Sequence, residues 1–219
     1  MRNQINRREF VEISAASFAA VALTCSPSGS SRVYAAETPK ASEPHQLAVP
    51  SGGRILVAYA SRCGSTAEIA QALGRDLQSR GYKPEVLPVA KIAQLGGYQA
   101  VLLGSAVRAG NWLGEATDFV RQHQREIRDL PNAFFSVHMR NTGDDEKSRK
   151  GRLGYLNRVH EMMRPDSEAF FAGRMDPSRL SFGERLVCKV MGDASPRDLR
   201  NWPVIHAWGS NVFATGGRS

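Results

Sequence analysis

Short apolar runs alternate with longer amphipathic stretches from residue 54 onward. The runs are almost continuous in apolar residues, which is typical of strands buried on both faces of a parallel sheet. Strands with one solvated face would instead alternate apolar and polar residues. The pattern therefore predicts strands over residues 54–60, 83–89, 100–104, 133–137 and 169–173.

The stretches between the runs carry apolar residues at helical spacing. Ser65 and Thr66 can cap a first helix that ends near Gly81. Further helices are predicted over residues 112–127, 152–163, 182–191 and 201–213. Alternating strands and helices imply right-handed crossovers, and hence a doubly wound α/β fold with a five-stranded parallel sheet and helices on both faces. The charged stretch 141–166 is predicted to be an insertion before the last strand.

Ligands of such sheets bind at the carboxyl ends of the strands, near the point where the strand order reverses. Three strand ends, at residues 61–66, 105–112 and 138–143, are therefore the candidate site. The first offers hydroxyl groups, a glycine and the N–H groups of a helix start, which together favour an anion. It lacks the Gly-Lys-Ser/Thr of a Walker A loop and the GxGxxG fingerprint. A mononucleotide phosphate bound without metal fits best, although a plain turn with a helix cap is the alternative.

The N-terminus has the order of parts found in a secretory signal. Arg7 and Arg8 precede a mildly apolar run over residues 13–23, and Val33-Tyr34-Ala35 offers a small residue for cleavage. The paired arginines resemble a twin-arginine signal, which exports folded proteins. We expect a signal peptide over residues 1–36, a linker over 37–53, a single domain over 54–219, and a location in the periplasm or at the outer face of the cytoplasmic membrane. The alternative is a disordered basic N-terminus with a chance arginine pair.

Charge and cysteines narrow the possible partners only a little. The formal net charge is +8, and the chain stays basic without residues 1–36. Such a surface attracts phosphates, carboxylates and anionic lipids, so charge alone cannot choose among partners. Cys63 and Cys188 have no CxxC spacing and no paired histidines beside them, so the sequence predicts no metal site and no disulfide framework.

A family resemblance is carried by the loops. The segment Tyr59-Ala60-Ser61-Arg62-Cys63-Gly64-Ser65-Thr66 resembles the phosphate loop of flavodoxin-like proteins, which bind FMN. Residues 104–112, residues 133–137, the motif Ala172-Gly173-Arg174-Met175 and the basic stretch 182–191 resemble one branch of that family, the menaquinone-dependent protoporphyrinogen IX dehydrogenases. The similarity runs from Ile55 to Trp208. It implies a flavodoxin-like fold and FMN as cofactor.

Carried over by position, the resemblance assigns an FMN site to the three strand ends. Residues of the first would enclose the phosphate: Ser61, Arg62, Cys63, Gly64, Ser65 and Thr66. Residues of the second would follow one side of the isoalloxazine ring: Ser105, Ala106, Val107, Arg108, Gly110, Asn111 and Trp112. Residues of the third would follow the other side: Val137, His138, Met139 and Asn141. The flavin performs the redox chemistry itself, so no catalytic side chain is assigned.

Several of these residues have an equally ordinary structural interpretation. Arg108 can be a solvated loop cation, Trp112 can belong to the core, and His138 can be a hydrogen-bonded structural histidine. The stretch 182–191 can lie on a membrane and reach a quinone, or pack on the sheet as an ordinary amphipathic helix.

The resemblance predicts an FMN-dependent oxidoreductase that passes electrons from an anionic, porphyrinogen-like donor to a quinone, with no nucleic-acid partner. An export signal is a departure, because oxidation in the haem pathway is expected on the cytoplasmic side. The alternatives are an exported flavodoxin-type electron carrier without a substrate of its own, and a relative that has lost FMN. Carriers of this type are typically acidic, and the positive charge argues against that alternative. The oligomeric state is not predicted.

Overall fold

A central parallel sheet organises the chain in the computed structural model, which describes residues 49–176 and 197–213. Its strands are hydrogen-bonded in the order β2-β1-β3-β5-β6, with β4 paired antiparallel to β3. This is the flavodoxin-like order of a doubly wound sheet, and the predicted fold class is confirmed. The strands are β1 (Arg54–Ala60), β2 (Lys83–Pro88), β3 (Ala100–Arg108), β4 (Asn111–Trp112), β5 (Asn132–His138) and β6 (Ser167–Ala172).

Helices cover both faces of the sheet, and each face has its own apolar core. The helices are α1 (Ser65–Ser79), α2 (Gly114–Arg128), α3 (Glu146–Leu153), α4 (Asn157–His160) and α5 (Trp202–Asn211). One core joins the sheet to α1 and α5, and includes Phe135. The other joins it to α2 and the inserted segment, and includes Phe134. Val49 is buried in the first core, so the described fold includes residues ahead of β1.

Two elements differ from the sequence prediction. Residues 104–112 are not an open loop, because β3 continues to Arg108 and pairs back with β4. Ala109 and Gly110 both have positive φ, of 50° and 77°, which suits the tight turn of a hairpin. As a result α2 begins at Gly114, and Trp112 belongs to a strand rather than to the helix.

The insertion between β5 and β6 also differs in detail. The first helix of the insertion is α3. The Asp145 side chain caps the start of α3 by accepting the Ser148 N–H at 2.9 Å. A 3-10 turn over Gly154–Leu156 then separates α3 from α4, so the single helix predicted over residues 152–163 is broken. The helix predicted over residues 182–191 lies outside the described residues, as does the signal peptide.

A short antiparallel pair follows β6 in the chain. It consists of β7 (Arg174–Met175) and β8 (Arg197–Asp198). Within residues 49–176 and 197–213, no helix has the length and apolar character needed to cross a membrane.

Gly104 fixes the spacing between two central strands. It lies opposite Phe135 in the β3–β5 ladder. A Cβ atom at this position would lie 2.0 Å from Cζ of the Phe135 ring, far inside van der Waals contact. The phenyl ring therefore fills the space that any other residue would need on this face.

We expect Gly104→Ala to destabilise the protein by roughly 1–3 kcal/mol, because the new methyl group forces the Phe135 ring out of its packed position. Urea unfolding measures the change. Adding Phe135→Leu should recover part of the loss. Gly96→Ala is the matched control, since a Cβ there meets nothing within 4 Å and Gly96 is exposed. Equal stabilities of the Gly104 and Gly96 variants would contradict the packing argument.

Candidate functional site

The sheet brings the three predicted strand ends together. Ala60 at the end of β1 pairs with Ser105 of β3. Ala106 in turn pairs with Val137 of β5. The segments that leave these strands therefore start side by side at one edge of the sheet, on either side of the point where the strand order reverses.

The first loop leads into α1, so the backbone N–H groups at the start of this helix lie at the same edge of the sheet. Gly64 adopts a left-handed conformation with φ of 85°, which favours glycine, and no side chain caps the helix. Ser61 holds the turn, because its Oγ accepts the Gly64 N–H at 3.1 Å. An uncapped helix start presents N–H groups and the positive end of the helix dipole, which together favour an anion.

Two hydroxyl groups lie in the first turn of α1. Ser65 is buried and its Oγ accepts the Arg174 N–H at 2.9 Å. Thr66 is only 1% exposed, and its Oγ1 has no hydrogen-bond partner within the described part of the chain. A buried hydroxyl without a partner costs about 1–3 kcal/mol, so this position calls for a ligand group. Arg62 is exposed, and Cys63 is half-buried.

The second strand end is held by the β3–β4 hairpin. Ser105 Oγ accepts the Leu113 N–H at 3.1 Å, which fastens the far end of the hairpin to β3. Trp112 is buried, donates from Nε1 to Ser136 Oγ at 2.7 Å and packs on Phe134. This placement favours its core role over a position beside the ligand.

The tip of the hairpin is the part that faces solvent. Arg108 and Gly110 are exposed there, and Ala106 and Val107 are half-buried. Asn111 is also half-buried and donates from its side chain to the Ala109 carbonyl at 3.1 Å. The tip is therefore the accessible part of the second strand end.

The third strand end is built around the Arg140 carbonyl. His138 is 3% exposed, and its Nδ1 lies 2.6 Å from this oxygen. A carbonyl only accepts, so Nδ1 carries the hydrogen and Nε2 is left as an acceptor, buried and without a partner in the described chain. Burial lowers the pKa of His138 to about 4, against the opposing effect of the Arg140 hydrogen bond. The ring is neutral at physiological pH.

Tyr155 of the insertion completes this cluster. Its hydroxyl donates to the same Arg140 carbonyl at 3.0 Å and accepts from the Asn141 side chain at 2.8 Å. Arg152 donates to the Asn141 carbonyl at 2.6 Å. Asn141 thus serves to attach the insertion to β5, with φ of 56° in the left-handed region that asparagine tolerates.

Gly173, directly after β6, joins the first and third strand ends. Its N–H donates to the His138 carbonyl at 2.8 Å. A Cβ here would lie 2.9 Å from Val137 Cγ1, 3.2 Å from Ser65 Oγ and 3.5 Å from Met139 Sδ. The sequence motif around Gly173 was informative for the family, but its contacts could not be read from the sequence because they join distant segments.

No group of three or more metal-ligating side chains that could hold a metal ion is present in residues 49–176 and 197–213. The site consists instead of backbone donors, hydroxyl groups and a neutral imidazole. A doubly wound sheet with an uncapped helix start at its switch point is an arrangement in which α/β proteins commonly hold a phosphate group.

Comparison with known proteins identifies the family. The flavodoxin domain family matches residues 56–196, and the chain belongs to this family. It is 27% identical over 161 residues to protoporphyrinogen IX dehydrogenase [quinone] of Escherichia coli strain K12, covering 71% of this chain and 88% of that protein. The Leishmania major protein of the same name is 26% identical over 175 residues, covering 74% and 75%.

Among solved structures, a flavodoxin from the domain Archaea is 17% identical. That likeness covers 64% of this chain and 93% of the archaeal one, with a TM-score of 0.37.

The low pKa of His138 makes a testable contribution to stability. Its pKa is about 4 in the folded chain and about 6.5 when unfolded, so between these values the unfolded chain binds more protons. The free energy of unfolding should therefore fall as the pH decreases from about 6.5 to about 4, by on the order of 3 kcal/mol. His138→Gln should remove this part of the pH dependence of the unfolding free energy, which urea unfolding at several pH values measures. The unsubstituted protein is the reference, and the same pH dependence in it and in the variant would contradict the assignment.

Proposed function

We propose that this protein is an FMN-dependent oxidoreductase of the quinone-linked dehydrogenase type, which passes electrons from a reduced, porphyrinogen-like donor to a quinone. The observation that carries the proposal is the match to protoporphyrinogen IX dehydrogenases over 88% of the length of the Escherichia coli protein. A shared flavodoxin domain alone would support only a flavoprotein.

The first loop fits the phosphate group of FMN. The uncapped start of α1 supplies backbone donors, and the buried Thr66 hydroxyl has no partner among the described residues, which a phosphate oxygen would provide. When bound, FMN supplies the redox chemistry. The chain's own part would be to hold and orient it, through the hairpin tip around Gly110 and the residues from Val137 to Asn141.

The exposed cations of α3 support an anionic donor. Lys147, Arg149 and Lys150 are exposed on α3, which follows the third strand end directly in the chain. No residue of α3 is buried, so these cations are available to carboxylate groups of a substrate.

The function is tested by spectroscopy and anaerobic kinetics on the purified protein. We expect flavin absorption bands, bleaching of these bands by protoporphyrinogen, and their return on adding a menaquinone analogue. A protein that stays colourless after incubation with FMN would overturn the proposal. A flavoprotein that reacts with neither protoporphyrinogen nor the menaquinone analogue, and exchanges electrons rapidly with a protein partner, would instead be an electron carrier.

Thr66→Val tests the phosphate loop with two effects of opposite sign. Valine keeps the shape and removes a buried hydroxyl that has no partner, so the FMN-free protein should become more stable by about 1 kcal/mol. FMN should bind about tenfold more weakly, because a hydrogen bond to a charged group is lost. Thermal unfolding and flavin fluorescence titration measure the two effects.

Thr117→Val is the matched control for this substitution. Thr117 is also buried in the first turn of a helix, but its hydroxyl donates to the Leu113 carbonyl at 3.3 Å. This variant should lose stability and keep its FMN affinity. A Thr66 variant that behaves like the Thr117 variant would exclude Thr66 from the phosphate site.

We also propose that the protein is exported by the twin-arginine route, and that its stretch 182–191 contacts the membrane where the quinone resides. The support is the order of parts around Arg7 and Arg8 and the basic, apolar composition of that stretch. Replacing both arginines with lysine should leave the full-length protein in the cytoplasmic fraction. Unchanged export of this variant would exclude the route.

A further inference from the structure

Charged side chains tie the start of α1 to the β7–β8 pair. Glu68, in the first turn of α1, accepts from the Arg174 guanidinium at 2.8 Å with one oxygen and from Arg200 with the other. Arg200 also donates to Asp198 of β8, and its side chain is only 6% exposed. Hydrogen bonds to Asp198 and Glu68 raise the pKa of Arg200 further above its ordinary value. One carboxylate thus holds a cation from β7 and a cation two residues after β8.

This network ends on the phosphate loop. The backbone N–H of Arg174 donates to Ser65 Oγ at 2.9 Å. Gly173 beside it is fixed by two backbone hydrogen bonds, from its N–H to His138 and from Leu199 to its carbonyl. Because the Ser65 oxygen accepts the Arg174 N–H, the direction of its own O–H hydrogen is restricted.

We propose that Glu68 is a positioning residue for recognition of the flavin phosphate. By holding Arg174 and Arg200 it keeps the Arg174 N–H on Ser65, and this directs the Ser65 hydroxyl hydrogen to the phosphate. The inference rests on the proposed FMN function. It adds that the segment after β6 sets the affinity for the phosphate group. This segment lies outside the loop that carries the phosphate motif.

Simple electrostatics predicts the opposite role for Glu68. A carboxylate near a phosphate repels it, and removing the carboxylate would leave less negative charge beside two guanidinium groups that attract it. The two explanations therefore predict opposite changes in phosphate affinity when Glu68 is substituted. Positioning requires that phosphate affinity falls, whereas charge alone requires that it rises.

Titration of the flavin-free protein with FMN and with riboflavin separates phosphate recognition from ring binding. Riboflavin has the same ring and lacks the phosphate. Glu68→Gln should weaken FMN binding about tenfold, equivalent to the loss of one hydrogen bond to a charged group, and leave riboflavin affinity unchanged. Glu115→Gln is the matched control, because Glu115 is an exposed acidic residue in the first turn of α2. It should change neither affinity.

The other outcomes overturn the inference. Equal weakening of FMN and riboflavin would show a general structural role, tighter FMN binding would show charge repulsion, and unchanged affinities would show no role. If Glu68→Gln does not fold, Asp198→Asn is the variant to test. A smaller loss of FMN affinity with unchanged riboflavin affinity supports positioning. An unchanged ratio of FMN affinity to riboflavin affinity overturns it. Failure of the unsubstituted protein to bind FMN at all would be recognised separately, as failure of the proposed function.

Discussion

Burial of the central strands on both faces is the constraint from which the rest of the structure follows. The apolar side chains of β1 and β3 are divided between two cores, one on each side of the sheet. Backbone groups within these strands are used by the ladders, and solvent does not reach them. Polar chemistry is therefore confined to the edge where the strands end. The few buried hydroxyl groups on the strands, at Ser105 and Ser136, serve to fasten the hairpin and its tryptophan to the sheet.

The sequence was sufficient wherever the signal was local. The strand over Arg54–Ala60 and the helix that begins at Ser65 were predicted because a continuous apolar run and a helical repeat can be recognised within one segment. The hairpin was missed, because Ala109 is not a residue that usually adopts positive φ. The start of α3 was missed because the predicted helix followed apolar spacing, while the actual helix begins at the Asp145 cap and buries no residue.

The same distinction holds within the site. Gly64 and Thr66 are predicted to lie in a phosphate site from a local pattern of small and hydroxyl residues after a strand. The contacts of Tyr155, Gly173 and Glu68 could not be predicted, because each joins segments that only the fold brings together. A tyrosine in an insertion, or a glutamate in a helix, has no sequence signal that distinguishes it from a solvated surface residue.

The outer position of β2 has a consequence for how the molecule behaves among its own copies. In the described part of the chain β2 pairs only with β1, and it carries Pro84 and Pro88. Proline has no N–H to offer, so a strand approaching this side finds an incomplete ladder. Edge-to-edge association through β2 is thereby discouraged, which protects a folded, basic protein from aggregating through its own sheet.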